Sequence, residues 1–296
     1  TKNLINFQIK RFLRLYPLHF LVLLAFLFKE NAIYYFEKVT GVQPNTPVFS
    51  VNNLESFVHN VLLTHSFGLE RLTYNHPSWS ISTEFFTYLI FGIIIITIRN
   101  YKLQLITIII TMLLCIFFLN DFSSETTYEA LLRCIYCFFL GVLGFNFFKY
   151  IKFSFPVWSQ YLFLILSVTL VTYGHKVYAP LVVLSFSLLI MSLVQSKNSL
   201  MKKILEKPFL VYLGTISYGV YMIHYIIWWV ITQFFRFIIK IPTVLTEGNT
   251  VIVFENIFFG TSVTIIGLLI IISLSHLSYK FFEVPVNNFK SKIKIV

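Results

Sequence analysis

A carboxylate, hydroxyls and an indole stand together where an apolar stretch begins, in the segment Trp79-Ser80-Ile81-Ser82-Thr83-Glu84. Ser80 and Glu84 are four positions apart, so they share one face of a helix. An ionisable group inside a membrane-spanning helix costs roughly 2.5–3.5 kcal/mol and usually marks a functional path, whereas a carboxylate in an early turn also suits the helix dipole. We take Glu84 as a candidate catalytic residue, with Trp79 and Ser80 on a candidate substrate path.

A second polar stripe runs along a later apolar stretch and ends in a histidine. Ser217, Tyr221 and His224 are spaced i, i+4 and i+7, which places them on one face of a helix. Such side chains can simply bond to neighbouring helices. They also indicate a polar cavity, with His224 as a second candidate catalytic residue and Ser217 and Tyr221 on the substrate path.

Two arginines near the N-terminus could bind phosphate. Arg11 and Arg14 are three positions apart and share a helix face, where they could snorkel to lipid phosphates or form a fork for the phosphates of a soluble ligand. Glu283 follows the last apolar stretch, which Pro285 is expected to end. We expect Glu283 within salt-bridge reach of Arg14 or Arg11, the alternative being a local pair with Lys280.

The composition predicts the elements that position these residues. Hydrophobic residues make up 57% of the 296 and charged residues 12%, with a mean hydropathy of +0.79, and a soluble domain would carry about twice that charge. The fold class is therefore all-α, a polytopic membrane helix bundle in a single domain over residues 1–296. Apolar windows of about 20 residues predict about eight spans, at 12–28, 79–98, 103–119, 130–148, 158–174, 178–195, 213–235 and 254–275.

The distribution of basic residues predicts the orientation of these spans. Short loops with Arg99 and Lys102 alternate with a loop that carries Asp121 and Glu125, so the positive-inside rule places the N-terminus in the cytoplasm. Residues 29–78 then form an extracytoplasmic loop. The net charge of +11 at pH 7 indicates topology and contact with anionic lipid, and we expect no nucleic-acid partner.

These clusters, in this order, resemble the acyltransferase-3 family of membrane-bound acyltransferases. The resemblance rests on four motifs distributed over nearly the whole chain. They are Arg-x-x-Arg-x-x-Pro at 11–17, Trp-Ser-x-Ser-x-Glu at 79–84, Ser-Tyr-x-x-Tyr-x-x-His at 217–224 and Phe-x-Glu-x-Pro at 281–285.

The resemblance implies an O-acyltransferase that moves an acyl group, most often acetyl, from cytosolic acyl-CoA to a hydroxyl of a cell-surface polysaccharide or lipid-linked glycan. Arg11 and Arg14 would bind the phosphates of the donor with Glu283 beside them. Glu84 and His224 would line the path where acyl group and acceptor meet, because a sugar hydroxyl needs a base and histidine is the usual one. No bound cofactor and no metal is expected, and the protein would be multi-pass in a bacterial cytoplasmic membrane.

One departure from the family and one alternative class accompany this resemblance. Family members usually begin with two further spans, the first carrying a basic residue and the presumed catalytic histidine about ten positions later, so we expect both spans upstream of Thr1 in the complete protein. The alternative is a transporter or polymerase of polysaccharide or lipid-linked sugar. A transporter more often shows repeated halves with broken helices, and no such repeat is visible in the sequence.

Overall fold

A computed structural model describes most of the chain, and helices dominate it. The described residues are 2–44, 46–119, 128–150, 154–174, 178–196, 198–246, 249–254 and 256–292. Asp121 and Glu125, which the sequence assigns to an outer loop, lie outside them.

The helices follow the predicted apolar stretches. Their bounds are α1 Lys2–Thr40, α2 Leu54–Val61, α3 Trp79–Thr97, α4 Tyr101–Phe118, α5 Tyr128–Tyr150, α6 Ser159–Tyr173, α7 Ala179–Gln195, α8 Leu200–Leu205, α9 Pro208–Gln233, α10 Ile257–Ser278 and α11 Val284–Lys292. A 3-10 turn, His76–Ser78, precedes α3, π-helical turns follow α9 (Phe234–Ile239) and α10 (Tyr279–Glu283), and strands β1 Thr243–Thr246 and β2 Asn249–Ile252 form an antiparallel hairpin.

Six of the described helical segments are long and apolar enough to cross a membrane, and the shorter helices α6 and α7 are also apolar. Their outward faces carry large apolar side chains such as Phe117, 78% exposed, and Ile165, 64% exposed. Helices satisfy their own backbone hydrogen bonds, so they can present such faces to lipid. The structure therefore confirms an all-α polytopic membrane protein. In the part of the chain that the structure describes, six of the eight predicted spans are long and apolar enough to cross a membrane, and the other two, α6 and α7, are apolar but shorter.

The first helix is longer than the sequence predicts. The apolar window ends at residue 28, because Lys29 and Glu30 follow, yet α1 continues to Thr40. Glu30 is buried, and its carboxylate accepts hydrogen bonds from the backbone N–H of Phe49 and the side-chain amide of Asn52. These partners make the buried charge of Glu30 tolerable, so the charged pair Lys29 and Glu30 does not end the helix. Residues 29–40 belong to α1 and not to the predicted loop.

Pro285 does not end the last helix as predicted. The chain passes from α10 through the π-helical turn Tyr279–Glu283 directly into α11, in which Pro285 is the second residue. A proline at the beginning of a helix removes no hydrogen bond that the helix needs. The break in regular α-helix lies instead in the π-helical turn Tyr279–Glu283 before it.

The chain forms two compact units, each described by itself. The first unit comprises Thr1–Gln8, Ser66–Glu70 and Ser82–Leu213. In it α6 pairs with α7 through the hydroxyls of Ser167 and Ser185, 2.9 Å apart. α4 and α5 pack around a core that contains the side chains of Ile108, Cys115, Ile135, Tyr136 and Phe139.

The second unit comprises Ile9–His65, Arg71–Ile81 and Gly214–Val296. It contains most of α1 and α9, together with α2, the 3-10 turn, the first residues of α3, the hairpin, α10 and α11. Its buried apolar side chains include Leu18 and Phe26 of α1, Ile216 and Met222 of α9 and Ile271 of α10. All the predicted site residues except Glu84 belong to this unit.

Candidate functional site

His224 is held on α9 in a defined orientation. Its Nδ1 lies 2.7 Å from the carbonyl oxygen of Tyr221 and 3.2 Å from that of Val220. A carbonyl only accepts, so Nδ1 carries the proton and donates it. In the neutral ring Nε2 then has its lone pair available, which is the form that acts as a general base.

Ser80 and Tyr221, both predicted on a substrate path, are in direct contact. The Ser80 hydroxyl lies 2.9 Å from the Tyr221 hydroxyl. Tyr221 donates its own proton to the carbonyl of Pro77, so its oxygen accepts from Ser80. Trp79, the first residue of α3, precedes Ser80 directly and is half-buried. These hydrogen bonds join the beginning of α3 to the middle of α9.

Ser217 is not part of this contact. It is exposed, and its hydroxyl donates to the carbonyl of Gly214 in its own helix, 2.8 Å away. The i, i+4, i+7 spacing correctly places Ser217, Tyr221 and His224 on one helix. Spacing does not predict which part of that helix packs against a neighbouring segment. Of the three residues, Tyr221 and His224 are half-buried and Ser217 is exposed.

Glu283 lies close to α9 in the second unit. A Cβ added at Gly219 would be 3.5 Å from Glu283 Oε1 and 3.2 Å from the Cβ of Ser275. The missing side chain of Gly219 therefore lets α10 and the following π-helical turn approach α9 closely. Glu283 Oε1 is buried and has no hydrogen-bond partner among the described residues.

The predicted ion pair of Glu283 is not formed at contact distance. Arg14 acts electrostatically on the Glu283 carboxylate, but in the described structure no ion pair within 4.0 Å joins Glu283 to Arg14, Arg11 or Lys280. Lys280 instead lies 5.4 Å from the ring centroid of Phe281. Arg14 is exposed and Arg11 is half-buried, so both guanidinium groups lie near the surface of the first half of α1.

Glu84 belongs to the first unit, one helical turn beyond Ser80 along α3. It is half-buried, and the hydroxyl of Tyr88, one further turn along, donates to its Oε1. The Tyr88 ring is itself fixed by edge contacts with Phe7 and Phe138, at centroid distances of 5.9 and 5.5 Å. This carboxylate within a span is therefore held in one orientation, which a catalytic group needs.

Two buried histidines escaped the sequence analysis. His19 Nε2 donates to the backbone carbonyl of Asn60 and His65 Nε2 to that of Ser78, both at 3.0 Å. Their rings are stacked, with centroids 5.5 Å apart and planes 5° apart. Burial, and then the neighbouring His19, lower the pKa of His65 to about 3, so this ring is neutral at physiological pH. His19 is a polar residue in an apolar span, a signal that could have been noticed.

His76, in the 3-10 turn before α3, lines a cavity. Its Nδ1 lies 3.1 Å from the Tyr225 hydroxyl, and the two rings stack with centroids 4.8 Å apart. Both side chains face a cavity of about 830 Å³ within the second unit. Cavities of this size are typical of small-molecule sites.

Comparison with known proteins gives one match. A family model described as an acyltransferase domain matches residues 1–276 of the 296. The matched region contains Arg14, Glu84 and His224 and ends before Glu283. No curated protein and no solved structure matches the chain.

Proposed function

The chain belongs to the acyltransferase-3 family, and from this premise we propose that it transfers an acetyl group from acetyl-CoA to a hydroxyl of a cell-surface polysaccharide or lipid-linked glycan. The observation that carries the proposal is the family match over residues 1–276. The geometry of His224, whose Nδ1 donates to its own helix, supports it, because such a ring can accept a proton at Nε2.

The proposed donor site is the first half of α1. Acetyl-CoA carries several phosphate charges, and the guanidinium groups of Arg11 and Arg14 suit phosphate oxygens. Arg14 is exposed, as a residue that binds a soluble ligand must be. The Glu283 carboxylate, on which Arg14 acts, would reduce the repulsion between the two arginines without occupying their donors.

The proposed reaction is a single acyl transfer. Nε2 of His224 accepts the proton of the acceptor hydroxyl as its oxygen attacks the thioester carbonyl. The carbon–sulfur bond then breaks, and the CoA thiolate takes up the proton. Glu84 is proposed as a second acid–base group, and Trp79, Ser80, Ser217 and Tyr221 as residues along the substrate path.

The proposed setting is the cytoplasmic membrane of a bacterium. The chain is a multi-pass membrane protein, and the basic residues of its short loops favour a cytoplasmic location for Arg11 and Arg14. Acyl-CoA is a cytosolic compound, so this orientation presents the arginines to the donor.

An acyl-transfer assay tests the proposal. The protein expressed from its complete reading frame is purified into nanodiscs and incubated with radiolabelled acetyl-CoA and glycan. We expect label on the glycan as an alkali-labile ester, with one CoA thiol released per ester formed. Glycan that remains unlabelled, with acetyl-CoA intact, would contradict the proposal. In sealed liposomes that contain the same protein, passage of unmodified glycan across the bilayer would instead favour a transporter.

A further inference from the structure

The second unit contains an open cavity at the end of α1 that lies opposite Arg11 and Arg14. Its volume is about 830 Å³, and its lining comes from residues 29–36, 42–44, 46–52, 71–76 and 225–237. Lys29 lies 15 positions beyond Arg14 on the same helix, which corresponds to roughly 22 Å at 1.5 Å per residue. A ligand of this cavity would therefore reach the protein from the end away from the proposed donor site.

Positive charge predominates in the lining. Among the described residues that line the cavity, the charged side chains are Lys29, Arg71, Arg236 and a single carboxylate, Glu30. Cations that line a concave, partly apolar surface attract and retain anions, because the low dielectric of the walls strengthens the field.

The one carboxylate is already engaged by the protein. Glu30 Oε1 accepts from the backbone N–H of Phe49, with N and O 3.3 Å apart, and its Oε2 accepts from Asn52 Nδ2 at 3.0 Å. It is 7% exposed. Glu30 thus fastens the segment after α1 to that helix, and Arg71 and Arg236 have no acidic partner among the described residues.

Lys29 is a desolvated cation with incomplete charge compensation. Its side chain is 14% exposed, and its Nζ lies 3.9 Å from Glu30 Oε2. The same Nζ lies 5.3 Å from the ring centroid of Phe26 and 5.2 Å from that of Trp229. The faces of aromatic rings stabilise a cation only partly, so an anion in the cavity would complete the environment of Lys29.

The aromatic lining suits a sugar ring. Trp228, Trp229 and Tyr225 face the cavity together with His76. Each of these rings offers a flat apolar face beside a polar atom, and a pyranose likewise has an apolar C–H face and polar hydroxyls at its edge. A free phosphate would use only the cations of the lining, and a neutral sugar would use only its aromatic rings. A ligand that uses both is a sugar that carries a negative group.

We propose that this cavity binds an anionic saccharide, with the negative group at Lys29, Arg71 and Arg236 and a sugar ring against the tryptophans. The inference rests on the proposed function in that it names the acceptor of that reaction as an acidic glycan. The negative group is either a uronic carboxylate or a phosphate carried on the sugar, because both present paired oxygens to a guanidinium.

The test is equilibrium binding to the full-length protein in nanodiscs of neutral lipid, without an acyl donor. Four probes are compared: a galacturonate trimer, its neutral galactose counterpart, glucose 1-phosphate and inorganic phosphate. We expect one of the two anionic saccharides to bind at least about tenfold more tightly than both the neutral trimer and inorganic phosphate. The trimer would identify a carboxylate as the recognised group, and glucose 1-phosphate a phosphate.

Variants test whether binding depends on the cations of the cavity or on the overall positive charge of the protein. Arg236→Gln and the more exposed Arg71→Gln are expected to weaken binding of the anionic saccharide about tenfold each, and Arg99→Gln, in the first unit, to leave it unchanged. The inference is overturned if neither anionic saccharide binds more tightly than both the neutral trimer and inorganic phosphate, or if Arg99→Gln weakens binding as much as the cavity variants do. Because no acyl donor is present, loss of binding refutes this inference alone, and intact binding without acetyl transfer refutes only the proposed reaction.

Discussion

The two ends of α1 both carry cations, but in different surroundings. At the first, Arg14 is exposed, and the Glu283 carboxylate acts on it without a contact ion pair. At the second, Lys29 is mostly buried against two aromatic rings, and its neighbouring carboxylate already has two other hydrogen-bond donors. The first end leaves its cation open to solvent, and the second holds its cation beside an open, partly apolar cavity.

This difference shows what a basic residue in an apolar helix can and cannot indicate. Sequence places Arg14 and Lys29 equally at the edges of an apolar stretch, where anchoring to lipid would explain both. The burial of the side chain distinguishes them, because an exposed charge is screened by salt and a buried charge much less. We therefore expect salt to weaken donor binding more than acceptor binding.

Substitution of His224 should reduce the rate of acetyl transfer more than any other single change, without affecting ligand binding at either end of α1. In His224→Asn the amide can still donate to the Tyr221 carbonyl, as Nδ1 does now, but no base remains at the position of Nε2. We expect kcat for acetyl transfer to fall by roughly a hundredfold to ten-thousandfold with little change in acetyl-CoA affinity. Steady-state kinetics measure this, and an unchanged kcat would assign His224 a structural role.

The second prediction concerns donor binding by the arginines at the first end of α1. Arg14→Ala should weaken acetyl-CoA binding about ten- to a hundredfold, since a hydrogen bond to a charged group contributes about 1.5–3 kcal/mol. Arg11→Ala should have a smaller effect in the same direction. Calorimetric titration at low and high salt measures both, with Arg99→Ala as the matched control. Unchanged affinity in Arg14→Ala would support simple anchoring to lipid.

A third prediction concerns stability and the buried histidines. The pKa of His65 is about 3 in the folded protein, below its ordinary value of about 6.5 in an unfolded chain. As the pH falls below 6.5 the unfolded state binds a proton that the folded state does not, so folding weakens until the pH reaches about 3. The loss is about 2 kcal/mol at pH 5 relative to pH 8.

Thermal melts across this pH range measure that loss. In His65→Gln the amide can replace the donor to the Ser78 carbonyl without titrating, and we expect its pH dependence to be flatter than that of the parent protein. Identical pH profiles for the two would show that His65 does not control the acid limit of stability.

The last prediction concerns the contribution of the contact between α3 and α9 to stability. Tyr221→Phe removes the hydroxyl that accepts from Ser80 and donates to the Pro77 carbonyl, and we expect a loss of about 1 kcal/mol in stability. Tyr35→Phe is the control, because Tyr35 is 68% exposed. Equal melting temperatures of the two variants would show that this contact does not stabilise the fold.

The positions of the apolar helices were predictable because hydropathy alone identifies them. Their lengths were less so, since six of the eight predicted spans are long enough to cross a membrane and α6 and α7 are shorter. The end of α1 was not predictable in the same way. Whether a helix continues past Lys29 and Glu30 depends on partners such as Phe49 and Asn52, which lie about 20 positions further along the chain. An apolar window contains no information on such partners.

The candidate site was predictable only where local spacing determines it. Spacing placed Tyr221 and His224 on one face, but the partner of Tyr221 is Ser80, 141 positions away. The stacking of His19 on His65 and the cavity around Lys29 likewise depend on contacts between segments that are distant in the chain. No periodic pattern in the sequence reports them.

Acetyl transfer across a sealed bilayer distinguishes a transmembrane acyltransferase from a transporter. The protein from its complete reading frame is reconstituted in one orientation, with radiolabelled acetyl-CoA on the side of Arg14 and an anionic oligosaccharide on the opposite side. We predict alkali-labile acetyl label on the oligosaccharide and one CoA thiol released per ester. Acetyl-CoA that stays intact, or an oligosaccharide that crosses the bilayer without gaining acetyl, would contradict the account.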